Sequence, residues 1–268
     1  MYTPSYRTQK NGVPVLKKEE IDTIGEAYVR DFQPEVLRNP APVDIEGFIE
    51  CYLGMTTDYQ YLSHNGIYLG MTVFNDTDRV IVWSPETNRA EYISAKARTV
   101  IVDNSLLEES QQHRYRFTLG HEGGHDIFHS AFFRYDPNQM SFFGSTTAPM
   151  IQCRRDNTKM SKTNPRSWND HDRMEFQANR FSSAILMPKS AVELVSQRHR
   201  KERSLIRSIA IVHDVVDTFD VSLEAATYRL KELGIVSKDF SVPYAGMDFI
   251  EVYADELERV NDASAFGL

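Results

Sequence analysis

The chain has 268 residues, 41% of them hydrophobic and 25% charged, a balance that excludes a disordered or fibrous protein and suffices to bury a substantial core. Its net charge of -8 sets the molecule as a whole against a phosphate backbone unless a local basic face compensates, so nucleic acid is not the first partner to expect. Two cysteines, Cys51 and Cys153, lack CxxC spacing and fit a reducing compartment better than a disulfide framework or a thiolate metal site.

The opening MYTPSYRTQKNG is polar and has no apolar signal segment, and no later stretch approaches the roughly 18 apolar residues of a membrane span. A cytoplasmic protein is therefore expected. From about Lys17 to Leu37, Ile21, Ile24, Tyr28 and Phe32 fall at helical spacing. Asp44 is placed to N-cap a second helix that carries Ile45, Phe48, Ile49 and Tyr52 toward Gly54. The pattern then turns to short β-prone runs, Tyr59-Leu62, Ile67-Phe74, Arg79-Trp83 and Thr99-Val102, which predict a small antiparallel or mixed sheet. Helices are predicted from Leu106 to Ser130 and from Asp172 to Met187, the latter stopped by Pro188. The long Ser-, Asn- and Pro-rich connection between them reads as a functional loop or a disordered one. Further helices are predicted near Ser190-Arg200, Ser204-Phe219 and Leu223-Leu233, with one dense basic run between Arg198 and Arg207.

His121-Glu122-Gly123-Gly124-His125 is an HExxH sequence inside the first of the two long helices. Four residues at about 100° each return nearly to the same face one turn higher, so both imidazoles can reach one ion. Two neutral nitrogens suit Zn²⁺, which in catalytic sites takes three protein ligands and keeps a position open. Glu122, offset around the helix, can take a proton without being a ligand. Gly123 and Gly124 each cost about 0.5–1 kcal/mol in a helix interior, which points to a close approach there. Glu175 is the strongest third ligand, because it is acidic within the largely apolar HDRMEFQANRFSSAILMP. The structural alternative pairs it with Arg173 or Arg180. His129, about 12 Å along the axis from His121, is too far to share that ion and reads as packing or as support for a ligand. Asp170, His171 and Asp172 read as N-cap and solvated neighbours, although one of them, Tyr135 or Arg173 can also orient a histidine or an oxyanion. Cys153 reads as an inert small residue or a thiolate gate on the metal.

Together, RFTLGHEGGHDIFH, the EFQANRFSSAILMP helix and the preceding sheet resemble the ImmA/IrrE family of bacterial zinc metallopeptidases, in which HExxH is followed by an ExxAN helix ending LMP. The resemblance runs across most of residues 15–235. It implies an α+β fold with a zincin-like core over residues 1–188, made of a small mixed sheet, the HExxH helix and a Glu-bearing helix. A helical, helix-turn-helix-like region and tail would fill residues 189–268. It also implies one zinc on His121, His125 and Glu175, Glu122 as general base, and an Xre-type helix-turn-helix repressor as substrate. The peptide is expected to lie extended along a sheet edge near Ile67-Phe74.

Two other functions fit parts of the sequence. HDVVDTFDVSLEAATYRLKELGIV resembles a helix-turn-helix, which admits a zinc-stabilised DNA-binding regulator, although Glu224 and Glu232 balance Arg229 and Lys231 there. A pseudo-peptidase that sequesters a repressor, or acts as an antitoxin-like partner, is the third reading. The retained Glu122 weighs against it.

Overall fold

The computed structural model describes residues 1–133, 150–154, 168–201 and 204–241. It divides the chain into two compact units, Met1–Ala191 and Val192–Leu268. No helix among the described residues is long and apolar enough to cross a membrane.

The first unit opens with a short hairpin, Thr8 bridged to Pro14, followed by α1 (Lys18–Phe32). Helix α1 starts where Glu20 Oε2 accepts from Lys17 N at 2.7 Å, and it buries Ile21, Ile24, Tyr28 and Val29. It ends earlier than its apolar spacing predicts, because Pro34 has no N–H to continue the ladder and instead begins a 3-10 turn, Pro34–Leu37. Asp44 does cap the next helix, accepting from Gly47 N at 2.9 Å. That helix, α2 (Ile45–Gly47), is a single turn that widens into a π-helical turn, Phe48–Tyr52.

Six strands follow: β1 (Thr56–Gln60), β2 (Tyr68–Val73), β3 (Thr77–Ser84), β4 (Arg89–Ala95), β5 (Thr99–Asp103) and β6 (Met150–Arg154). Four form a mixed sheet in the order β1-β5-β2-β6, with β1 parallel to β5 and the other pairs antiparallel. The other two, β3 and β4, make a separate hairpin whose Val80 and Val82 join Leu62, Met71, Val73 and Ile101 in one apolar cluster. The sequence pattern misses β4 and β6. The region near Ile67-Phe74, where a peptide is expected at a sheet edge, forms β2, which is hydrogen-bonded on both sides, to β5 and to β6. A peptide therefore cannot add along Ile67-Phe74, since that strand's main-chain groups are already taken by a segment of the long connection.

Two 3-10 turns, Asn104–Leu107 and Glu109–Gln111, lead into α3 (Gln112–Phe133), so the expected helix from Leu106 begins later and runs slightly further. Helix α4 (Asp170–Leu186) is started by a capping box in which Asn169 Oδ1 accepts from Asp172 N and Asp172 accepts from Asn169 N. It packs against both α3 and α1. Beneath these helices a buried ion pair joins Arg180 to Asp22, which removes Arg180 as the partner foreseen for Glu175.

Helix α5 (Lys189–Arg198) follows Pro188, and α6 (Ser204–Phe219) and α7 (Leu223–Glu232) complete the described chain. Within the second unit α6 and α7 are joined by a tight turn in which Asp220 takes φ 52° and Ser222 Oγ accepts from Ala225 N at 3.2 Å. Val212, Val215, Phe219, Ala226 and Leu230 are buried there.

Candidate metal centre

The site forms where α3 crosses α4 beneath β2. Close approach of the two helices requires small residues at the crossing. A Cβ on Gly120 would stand 2.6 Å from Ser182 Oγ, and one on Gly124 would stand 3.2 Å from the Ala178 Cα. A Cβ on Gly123, on another side of α3, would meet Ile49 Cδ1 at 2.7 Å. The glycines of HEGGH are thus explained by packing on two sides.

That approach lets α4 deliver Glu175 to the two histidines of α3. His121, His125 and Glu175 are all buried, and their ligand-type atoms lie within 4.8 Å of one another. The Nε2 atoms of His121 and His125 face each other at 2.9 Å. Glu175 Oε2 lies 3.5 Å from His121 Nε2, and its Oε1 lies 3.4 Å from His125 Nε2. Donor atoms held about 2.0–2.2 Å from one ion at tetrahedral angles stand roughly 3.4 Å apart, a separation that Glu175 meets to each histidine, while the two Nε2 atoms are closer. Burial pushes the His121 pKa down to about 4 and that of His125 down to about 3, with the neighbouring His125 ring adding to the effect at His121. Both rings are therefore neutral near pH 7, the form that ligates metal. Two nitrogens and one carboxylate converging without solvent fit a divalent cation of the zinc type.

The outer nitrogens of the rings are held as well. His121 Nδ1 lies 2.9 Å from Asn179 Oδ1. His125 Nδ1 lies 2.8 Å from His129 Nδ1, and His129 Nε2 lies 3.0 Å from Gln177 Oε1. His129 thus supports His125 from behind, in keeping with its distance along the helix.

Glu122 is fully buried and points to β2. Its Oε2 accepts from Thr72 Oγ1 at 2.6 Å, while its Oε1 has no hydrogen-bond partner among the described residues. Burial raises its pKa well above the ordinary carboxylate range, and the nearby Glu175 carboxylate adds to that rise. Gly70 makes room for it, since a Cβ there would lie 2.6 Å from Glu122 Oε1.

Residues 153–231 match the family model described as the IrrE N-terminal-like domain, Peptidase_M78. This match supports assignment to the ImmA/IrrE family. No curated protein matches the chain at a significant level. The ImmA/IrrE match takes in Glu175, Gln177 and Asn179, whereas His121, Glu122 and His125 lie before it, so their place in the site rests on geometry. It supports a metallopeptidase-like domain and a peptidase kind of activity.

Thr72, Gly70, Asn179 and Gln177 were not singled out from sequence. Gly70 had a signal, a glycine inside an apolar strand, which marks close approach of another group. Asn179 had a weaker one, four residues after Glu175 on the same helix face. Of the other candidates, Asp170 accepts from Asn11 Nδ2 at 2.7 Å, and Asp172 serves the capping box. His171 is exposed, yet near enough to disfavour charge on both His121 and His125. Arg173 is half-buried on the first turns of α4. The backbone of Cys153 pairs with Gly70 in the sheet. Its side chain, Tyr135 and most of the connection lie outside the described residues.

Proposed function

We propose that the protein is a zinc-dependent endopeptidase in which His121, His125 and Glu175 hold the ion and Glu122 is the general base. One observation carries this reading: three buried ligand atoms converge beside a buried carboxylate whose second oxygen makes no hydrogen bond among the described residues. Zinc would supply Lewis acidity toward a peptide carbonyl and toward water. In this reading Glu122 Oε1 would take the water proton and return it to the leaving amine, with the other oxygen held by Thr72. Without metal, burial and the Glu175 carboxylate raise its pKa, and a cation bound beside it would lower that value again toward the range in which a base works.

The outer strand of the described sheet beside β2 is β6, whose Ile151 pairs with Thr72. A substrate peptide adding a strand there would lie two strand spacings, about 10 Å, from β2. The ImmA/IrrE resemblance points to a helix-turn-helix repressor as substrate, cut in the cytoplasm to relieve repression. Direct DNA binding is disfavoured by α7, where Arg229 is fully buried and the exposed positions are Glu224 and Tyr228.

Elemental mass spectrometry on wild type and on folded Glu175→Gln tests the metal: about one zinc per chain in the first and clear loss in the second are expected. Wild type that stays metal-free after zinc addition would end the peptidase reading. With a repressor in hand, Glu122→Gln should keep zinc and lose roughly 10²–10⁴-fold in cleavage. Unchanged repressor release by that variant would favour sequestration.

A further inference from the structure

We infer that Gln177 is a positioning residue that sets the tautomer of His125 through His129, using the Pro14 carbonyl as its reference. The inference rests on the metal-site reading above and adds a direction to the hydrogen bonds behind it. A carbonyl oxygen only accepts, and the group 2.9 Å from Pro14 O is Gln177 Nε2. The amide nitrogen of Gln177 therefore faces Pro14, and its oxygen faces His129. An amide oxygen accepts, so the proton of the His129 ring sits on Nε2, 3.0 Å away. His129 is fully buried, and its two nitrogens meet the ring of His125 and the amide of Gln177, neither of them an anion. A second proton on that ring would add an unpaired charge to a dry interior. His129 Nδ1 is then an acceptor, which requires His125 Nδ1, 2.8 Å from it, to donate. With its proton on Nδ1, His125 presents a bare Nε2 lone pair to His121 and Glu175.

The reference is itself fixed by packing. Pro14 closes the hairpin opposite Thr8, and Gly12 in its turn has φ +90° and lies so close to α3 that a Cβ would come within 3.1 Å of the Ala131 carbonyl carbon. Tyr6 Oη donates to Ile127 O at 2.9 Å from the same segment. The segment before α1 thus reaches the metal site through four hydrogen-bonded groups, although it contributes no ligand.

Imidazole ¹⁵N shifts of the metal-free wild type read the tautomers directly. The expected pattern is His125 protonated on Nδ1 and His129 on Nε2; His129 protonated on Nδ1 would overturn the inference without any variant. Gln177→Met should let the His125–His129 pair reverse, giving mixed tautomers and a zinc affinity, measured by chelator competition, about 10–100-fold weaker. An unreversed pair and unchanged zinc affinity in Gln177→Met would refute the role. Because the shifts are read without metal, a wild type that fails to bind zinc would sink the peptidase reading and leave this one to be decided separately.

Discussion

Glu122 combines two conditions that ordinary folding would avoid, full burial and one carboxylate oxygen without a hydrogen bond among the described residues. Its raised pKa makes it a stability liability with a definite sign. Between the ordinary glutamate value of 4.5 and the raised folded value, the unfolded chain releases this proton while the folded chain keeps it. The contribution of Glu122 to stability is therefore complete below 4.5 and falls as pH rises, by about 1.4 kcal/mol per unit over that window. Glu122→Gln removes the titration. Metal-free Glu122→Gln should unfold at a higher temperature than wild type near pH 7, with the gap narrowing toward pH 4.5, as scanning calorimetry at several pH values would show. A gap independent of pH would show that Glu122 titrates alike in the folded and unfolded chains. Thr72→Ala should act in the opposite sense and cost about 1–3 kcal/mol, because it leaves a second buried carboxylate oxygen without its donor.

The seam between α3 and α4 decides whether three ligands can meet. Gly120 faces Ser182 and Gly124 faces Ala178, four residues apart on each helix, so side-chain bulk at either pair separates the backbones. Gly124→Val is expected to destabilise the fold by about 1–3 kcal/mol. It should also lower zinc content at equal protein concentration, which circular dichroism and elemental analysis together would establish. Both helices were legible from sequence because their information is local: HExxH fixes one face of α3, and the EFQAN spacing with Pro188 fixes the extent of α4. Strand β6 was not, since its strand character comes from pairing with β2, a partner about eighty positions earlier in the chain. Strand β4 was missed for another reason. Its residues are mostly exposed, so RAEYISA carries no apolar alternation to read. The supporting residues Thr72 and Gln177 lay beyond reach because a hydrogen-bond partner leaves no periodic trace in sequence.

At the scale of the molecule, the two compact units differ in what they supply. The first, Met1–Ala191, contains every residue of the metal centre and of the hydrogen-bonded support behind it. The second, Val192–Leu268, places Arg229 in its interior, and in it Asp214 accepts from Arg198 Nη1 at 2.9 Å and lies 2.8 Å from His199 Nε2. The basic run that keeps a DNA-binding reading open is thus partly neutralised where it is described. The crossing of α3 and α4 has a further consequence. His125 and Glu175 are fifty positions apart, and an ion held by both acts as a cross-link that closes that length of chain into a loop. Closing such a loop removes freedom chiefly from the unfolded chain, and any ion that binds only the folded form stabilises it by mass action, about 2.7 kcal/mol at a hundredfold excess over its dissociation constant. Stripping the metal-loaded protein with a chelator should accordingly lower its melting temperature by several degrees and restored metal should recover it, so an ion held at this site would also be a staple of the fold, and metal supply would set how much folded protein a cell retains.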